Sequence, residues 1–373
     1  MILDCHCHVI PAGMLTGAVP PPWRPKLSVT DGQRVVSFQG RRLTSVTGEF
    51  SDVAVMLEQA GTAGVSHLLV SPWILLIPVH EDLPAAVRIC RVQNESIAQA
   101  AQDSDGRVYG LGALPLQDPR RAAAELADLM ALPGMRGVEV PASVAGSYLG
   151  DDKFTPFWEA AADTGAVVFV HPTTTGLGIE DLHGGYLWNS VGNPLETTIA
   201  AGQLVVSGVL ERHPALRILL AHGGGALPAL RGRLRRAFAV RPEARAGAAC
   251  GPDDSLRRLY FDSLTHDSAV LADLVAFAGA GHVLLGSDRP FDMGTDQPVE
   301  EIRALGLPAE DEQLLLGATA ERLMGLSTAE LDHGREVTGD GDSHLRLECG
   351  GLGTAGGPGQ AAGRAAGPAD GTA

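Results

Sequence analysis

Ile2-Leu3-Asp4-Cys5-His6-Cys7-His8 opens the chain as a short apolar start closed by two histidines two residues apart. Side chains alternate along a strand, so His6 and His8 point the same way, as two ligands from one strand must. On that alternation Asp4 shares their face, while Cys5 and Cys7 face the other way as small apolar packing under helices. The pattern returns three times. Val167-Val168-Phe169-Val170-His171-Pro172, Ile218-Leu219-Leu220-Ala221-His222-Gly223 and Val283-Leu284-Leu285-Gly286-Ser287-Asp288 are each apolar runs ending in a possible metal ligand. Such runs read as buried parallel strands, whose C-terminal tips carry the chemistry of α/β barrels.

Eight strand-like runs can be marked: 2–8, 66–72, 108–116, 137–142, 167–172, 217–222, 259–264 and 283–288. Helical stretches at 83–102, 118–132, 153–164, 195–212, 226–238 and 267–279 lie between them. This alternation predicts a parallel sheet closed into a (β/α)8 barrel, with an open doubly wound sheet as the competing arrangement. Candidate ligands on the first, fifth, sixth and eighth runs favour closure, because only a barrel brings the first and eighth strands together. Residues 1–328 form this domain. Within it, 10–50 read as a small inserted lobe over the barrel mouth, with hairpins at Asp31-Gly32 and Gln39-Gly40. A further amphipathic helix is expected over 309–325. From 329 to 373 the Gly/Ala-rich composition predicts a disordered tail.

Composition narrows the function. The 373 residues carry a formal net charge of −16 and only two lysines, Lys26 and Lys153. That balance argues against nucleic-acid partners and anionic membranes. No apolar run is long enough to span a bilayer, and no signal-peptide pattern begins the chain, which predicts a cytoplasmic protein. The five cysteines lack CxxC spacing and read as reduced thiols. His6, His8, His171 and Asp288 together are a ligand set for one divalent ion, zinc above all. Neither lysine stands at a strand tip, and the fourth strand reads Gly137-Val138-Glu139-Val140, so nothing supplies a lysine bridge to a second ion. His222, ahead of three glycines, reads as a general base.

These motifs, with Pro194-x-Glu196-Thr197-Thr198, Ala221-His222-Gly223-Gly224-Gly225 and Gly286-Ser287-Asp288-x-Pro290-Phe291, resemble the amidohydrolase superfamily. The likeness is to the branch named for α-amino-β-carboxymuconate-ε-semialdehyde decarboxylase, and it runs from residue 1 to about 326. The resemblance implies a TIM-like barrel and a metal-dependent decarboxylase of a small unsaturated or aromatic carboxylate. His6, His8, His171 and Asp288 are then the metal ligands, and His222, with Asp288, serves the catalysis of a metal-activated water. It implies a homodimer in which Arg233 reaches the neighbouring subunit's substrate, and a second substrate arginine at Arg41 or Arg42. Arg289, and Thr173-Thr174-Thr175 after His171, depart from the named enzyme and are expected to line the pocket. The alternative is a hydrolase or hydratase using the same site.

Overall fold

The computed structural model describes residues 1–173, 176–327 and 330. The disordered tail expected over 329–373 lies outside the described residues apart from Glu330.

Eight parallel strands pair in chain order. They are β1 (Leu3–Val9), β2 (His67–Pro72), β3 (Val108–Gly112), β4 (Met135–Pro141), β5 (Val167–His171), β6 (Arg217–Leu220), β7 (Tyr260–Asp262) and β8 (Val283–Leu284). The Cys5 N–H donates to Leu285 O at 2.9 Å and the Asp288 N–H to His6 O at 2.7 Å. These bonds bring the end of the ring back to β1, so the sheet is an almost closed barrel, as the placing of the ligands anticipates.

The strands are buried on both faces because each face has its own cover. Val70, Val138, Val168 and Ile218 belong to the layer under the helices. Leu3, Leu69, Leu111, Phe169 and Leu219 fill the barrel interior, sealed below by Leu323 and Met324. The helices up to β8 are α1 (Val53–Gly61), α2 (Leu83–Gln102), α3 (Pro119–Met130), α4 (Thr155–Thr164), α5 (Asn193–Val206), α6 (Val209–Arg212), α7 (Leu227–Val240), α8 (Pro252–Leu256) and α9 (Ser268–Ala278), and shorter ones follow at Pro298–Arg303, Ala309–Gln313 and Thr319–Met324. Asp side chains accept backbone N–H groups at the starts of α1, α2, α3 and α9, satisfying donors that a helix leaves free. Two expected helices are interrupted. The stretch 195–212 breaks at Gly208, whose φ of 72° leaves the helical region. The stretch 309–325 passes through a π turn at Leu314–Ala318.

The inserted lobe is a three-stranded antiparallel sheet, Lys26–Thr30, Gln33–Phe38 and Arg41–Leu43. Asp31-Gly32 and Gln39-Gly40 make its turns, all four with positive φ, which matches the right-handed twist of the paired strands. Phe38 seats the lobe, its ring lying 5.7 Å from Trp23 and 5.9 Å from Trp73.

Simple alternation fails in β1. Its register against β2 shifts between Asp4 and Cys7. Cys5 therefore joins Leu3 in the interior, while Cys7 lies in the layer under the helices. Asp4 does not share the face of His6 and His8. Its carboxylate accepts the Ser287 hydroxyl and, at 3.1 Å each, the Ser287 and His6 N–H groups. The irregularity turns His6 inward and ties β1 to the loop that carries Asp288.

Candidate metal centre

His6, His8, His171 and Asp288 meet at the C-terminal end of the barrel, all buried, with one ligand atom of each within 4.8 Å of every other. The Nε2 atoms of His6 and His8 are 3.1 Å apart, and Asp288 Oδ1 lies 3.4 Å and 3.2 Å from them. Metal–ligand bonds of about 2.0–2.2 Å place neighbouring ligand atoms roughly 3.0–3.5 Å apart, so the cluster fits a single ion. His171 Nε2 and Asp288 Oδ1 are buried without a hydrogen-bond partner. Burial without a partner is costly, and an ion facing both atoms relieves it.

Each imidazole is held by its other edge. His6 Nδ1 is 2.6 Å from Asp262 Oδ2, His8 Nδ1 is 3.1 Å from Ser71 Oγ, and His171 Nδ1 is 2.9 Å from Pro172 O. These contacts leave Nε2 of each ring for the ion. Burial pulls His171 well below the ordinary histidine pKa and lowers His8, leaving both rings neutral. His6 behaves otherwise. Burial lowers it too, but the Asp288 charge and the Asp262 hydrogen bond outweigh that and hold it at about 10. Burial raises the Asp288 carboxyl, but the His6 charge and hydrogen bonds from His222, His6 and His8 outweigh it and hold the group well below the usual carboxylate range.

His222 stands beside the cluster. Its Nε2 is 3.8 Å from Oδ2 of Asp288, the oxygen turned away from His6 and His8, and its ring centroid is 5.3 Å from those of His6 and His171. His222 and Asp288 have φ of 56° and 57°, a conformation uncommon outside glycine. Asp262 fixes the His222 turn by accepting the His222 N–H at 2.8 Å and the Gly223 N–H at 2.7 Å. At Gly225 a Cβ would lie 2.0 Å from Pro194 O, so only glycine admits the start of α5. The remaining motif residues brace the site from behind. Glu196 accepts the Ser143 hydroxyl and the Thr173 N–H, and Thr198 Oγ1 accepts the Ala226 N–H.

Two adjoining cavities, of about 610 and 270 Å³, open onto this cluster and share Asn189, Asn193, His222, Asp288 and Met293. Arg41 and Arg42 both line the smaller one, with Trp73, Tyr186, Trp188 and Phe291. Arg289 does not line either, contrary to expectation. It pairs with Cys7 in an isolated parallel bridge and lines a separate pocket with Thr47 and Glu49. The residue after an inward Asp288 points outward. Thr173 also lines a neighbouring pocket, and Thr174 and Thr175 lie outside the described residues. Arg233 is exposed on α7, away from both cavities.

The sequence reading left out Asp262 and Asn193. Asp262 follows Leu259-Tyr260-Phe261 within the seventh run and closes β7, and that position was its signal. Asn193 had none beyond its place before Pro194. It is buried, lines both cavities, and its Oδ1 has no partner.

Comparison with known proteins agrees with this architecture. The amidohydrolase family matches residues 3–326. Over 243 residues the chain is 32% identical to the 2-amino-3-carboxymuconate-6-semialdehyde decarboxylase of Dictyostelium discoideum, covering 65% of this chain and 67% of that one. It is 28% identical over 264 residues to the gamma-resorcylate decarboxylase of Rhodococcus jostii, covering 67% and 79%. A dihydroxybenzoic acid decarboxylase from a Polaromonas species, solved with bound manganese and 2-nitroresorcinol, shares the fold with a TM-score of 0.71. That match is at 23% identity over 88% of this chain and 98% of the other. With the ligand cluster in place at the barrel mouth, the chain belongs to the amidohydrolase family.

Proposed function

We propose that this protein is a mononuclear metal-dependent carboxy-lyase acting on a small aromatic or unsaturated carboxylate. The observation that carries the reading is the pair of partnerless buried atoms, His171 Nε2 and Asp288 Oδ1, facing the Nε2 atoms of His6 and His8 beneath a cavity edged by two arginines. The named relatives, decarboxylases of such acids, support the substrate class.

His6, His8, His171 and Asp288 would hold the ion, and three imidazoles with one carboxylate suit zinc or manganese. When bound, a divalent ion supplies Lewis acidity, which acidifies water and stabilises oxygen anions beside it. The protein's own groups do the rest. Arg41 and Arg42 draw a carboxylate into an otherwise acidic protein and orient it through charge-assisted hydrogen bonds. Trp73, Trp188 and Phe291 flank the flat body of the substrate and keep water from it. Decarboxylation exchanges the carbon–carboxylate bond for a carbon–hydrogen bond and releases carbon dioxide, so a proton must be delivered to that carbon. His222 takes a proton from water at Nε2 and returns one to the carbon, with Asp288 Oδ2 stabilising the imidazolium. Arg233 fits this scheme as a group lent to the cavity of a second copy.

The test is a panel of hydroxybenzoates and conjugated dicarboxylates, offered to protein loaded with zinc or with manganese, with carbon dioxide measured directly. Stoichiometric carbon dioxide is expected from at least one acid. Hydrolysed or hydrated product without carbon dioxide would move the protein to the hydrolase alternative.

A further inference from the structure

The barrel interior holds one more carboxyl that the proposed chemistry does not use. Glu139 points inward from β4, between Val138 and Val140 of the outer layer, and is fully buried. Neither of its oxygens meets a donor at close hydrogen-bond distance, the Ser71 hydroxyl being its nearby polar neighbour. Such a group costs stability with no visible return in the metal-free protein. Its position shows what it faces. Glu139 Oε1 is 3.7 Å from His8 Nδ1 and 3.9 Å from His171 Nδ1. Those are the edges opposite the Nε2 atoms, and the two rings come from strands that are not neighbours, β1 and β5.

We propose that Glu139 is a positioning residue for the metal centre, acting through His8 and His171 as the shared acceptor behind both rings. The Ser71 hydroxyl and the Pro172 carbonyl each hold one ring alone. Glu139 Oε1 lies near the Nδ1 atoms of both, so a hydrogen bond from either would set the angle between them. An approach of about 0.7 Å turns either contact into a hydrogen bond. The proton is then locked on Nδ1 and the lone pair on Nε2.

This inference rests on the metal reading, and the experiment separates the two. Zinc and manganese dissociation constants are measured by chelator competition for wild type, Glu139→Gln and Glu139→Met, together with the melting midpoints of the metal-free proteins. Glu139→Met should bind either ion about 10–100-fold more weakly, the usual effect of losing an outer partner, whereas Glu139→Gln keeps an accepting amide oxygen and should lose less. Metal-free Glu139→Met should melt no lower than wild type, since an apolar side chain of similar size leaves no partnerless oxygen. An unchanged dissociation constant in Glu139→Met would overturn the proposal. So would a lower metal-free midpoint with unchanged affinity, which marks a merely structural residue. If Glu139→Met does not fold, the affinity of Glu139→Leu, which also lacks an acceptor, decides. Absence of metal binding by wild type would remove the metal reading and this inference with it.

Discussion

The floor of the site and its wall are built on different principles. The floor is strand. His6, His8, His171 and Asp262 lie in strands hydrogen-bonded on both sides, and Asp288 hangs from β1 by a 2.7 Å backbone bond. The wall is loop and lobe. Arg41 and Arg42 ride on the edge of a three-stranded sheet, Tyr186 and Trp188 come from the connection between β5 and α5, and Asn193 opens α5. A floor of this kind fixes distances to within a bond length, whereas a wall of this kind can change its side chains without disturbing the barrel. Chemistry should therefore reside in the floor and selectivity in the wall.

The sharpest way to break that division is His171→Ala. Metal content measured on the purified protein should collapse and turnover with it. The loss of affinity should exceed the roughly 10–100-fold typical of an outer partner. Retention of one ion per chain would mean that the floor is not the metal site. Next in size is His222→Asn, which should keep the metal yet lose about 10²–10⁴-fold in turnover. A metal-free His222→Asn protein would make this residue a ligand. On the wall, Arg42→Ala should raise KM by about 10–100-fold, the equivalent of one charge-assisted hydrogen bond of roughly 1.5–3 kcal/mol, with kcat largely kept. An equal fall in kcat and kcat/KM would show that the wall, too, takes part in the transition state.

The smallest effect belongs to the seam between lobe and barrel. Glu49 accepts the N–H groups of Phe50, Ser51 and Asp52 and pairs with Arg34 at 3.2 Å. Burial raises its pKa, but the Ser51 backbone and hydroxyl, then the other N–H groups, outweigh this and bring it to about 2. A depressed pKa contributes stability above the ordinary value of 4.5 that is lost as the pH falls toward 2. Denaturation of Glu49→Gln should show a small deficit at pH 7 that closes by pH 2–3, with metal binding untouched. A deficit independent of pH would point to packing rather than charge.

The floor was legible in the sequence because two periods coincide there. Apolar runs announce the strands, and a polar residue at each tip announces the ligand. Asp262 obeyed the same rule and was passed over because no histidine drew attention to it. Where the backbone departs from regular pleating, the rule misleads. The register shift after Asp4 reverses its face and that of Cys5, and no residue type signals it. Arg289 was misplaced for the opposite reason, since plain alternation with Asp288 would have sent it outward. The wall resisted reading because loop geometry follows tertiary contacts. Asn193 gains its position from the abutment of Pro194 on Gly225, a contact between segments about thirty residues apart.

Asp262 has a consequence for how the enzyme can evolve. One oxygen receives both the ring of His6 and the backbone of His222, and the other receives Gly223. A single carboxylate is thus the common reference from which His6 of the metal cluster and the neighbouring His222 are both measured. Mutations elsewhere can tilt the barrel or remodel its rim without changing the spacing between those two groups, because both move with Asp262. Substitutions in the loops of the wall leave these contacts in place, while a substitution of Asp262 shifts His6 and His222 together.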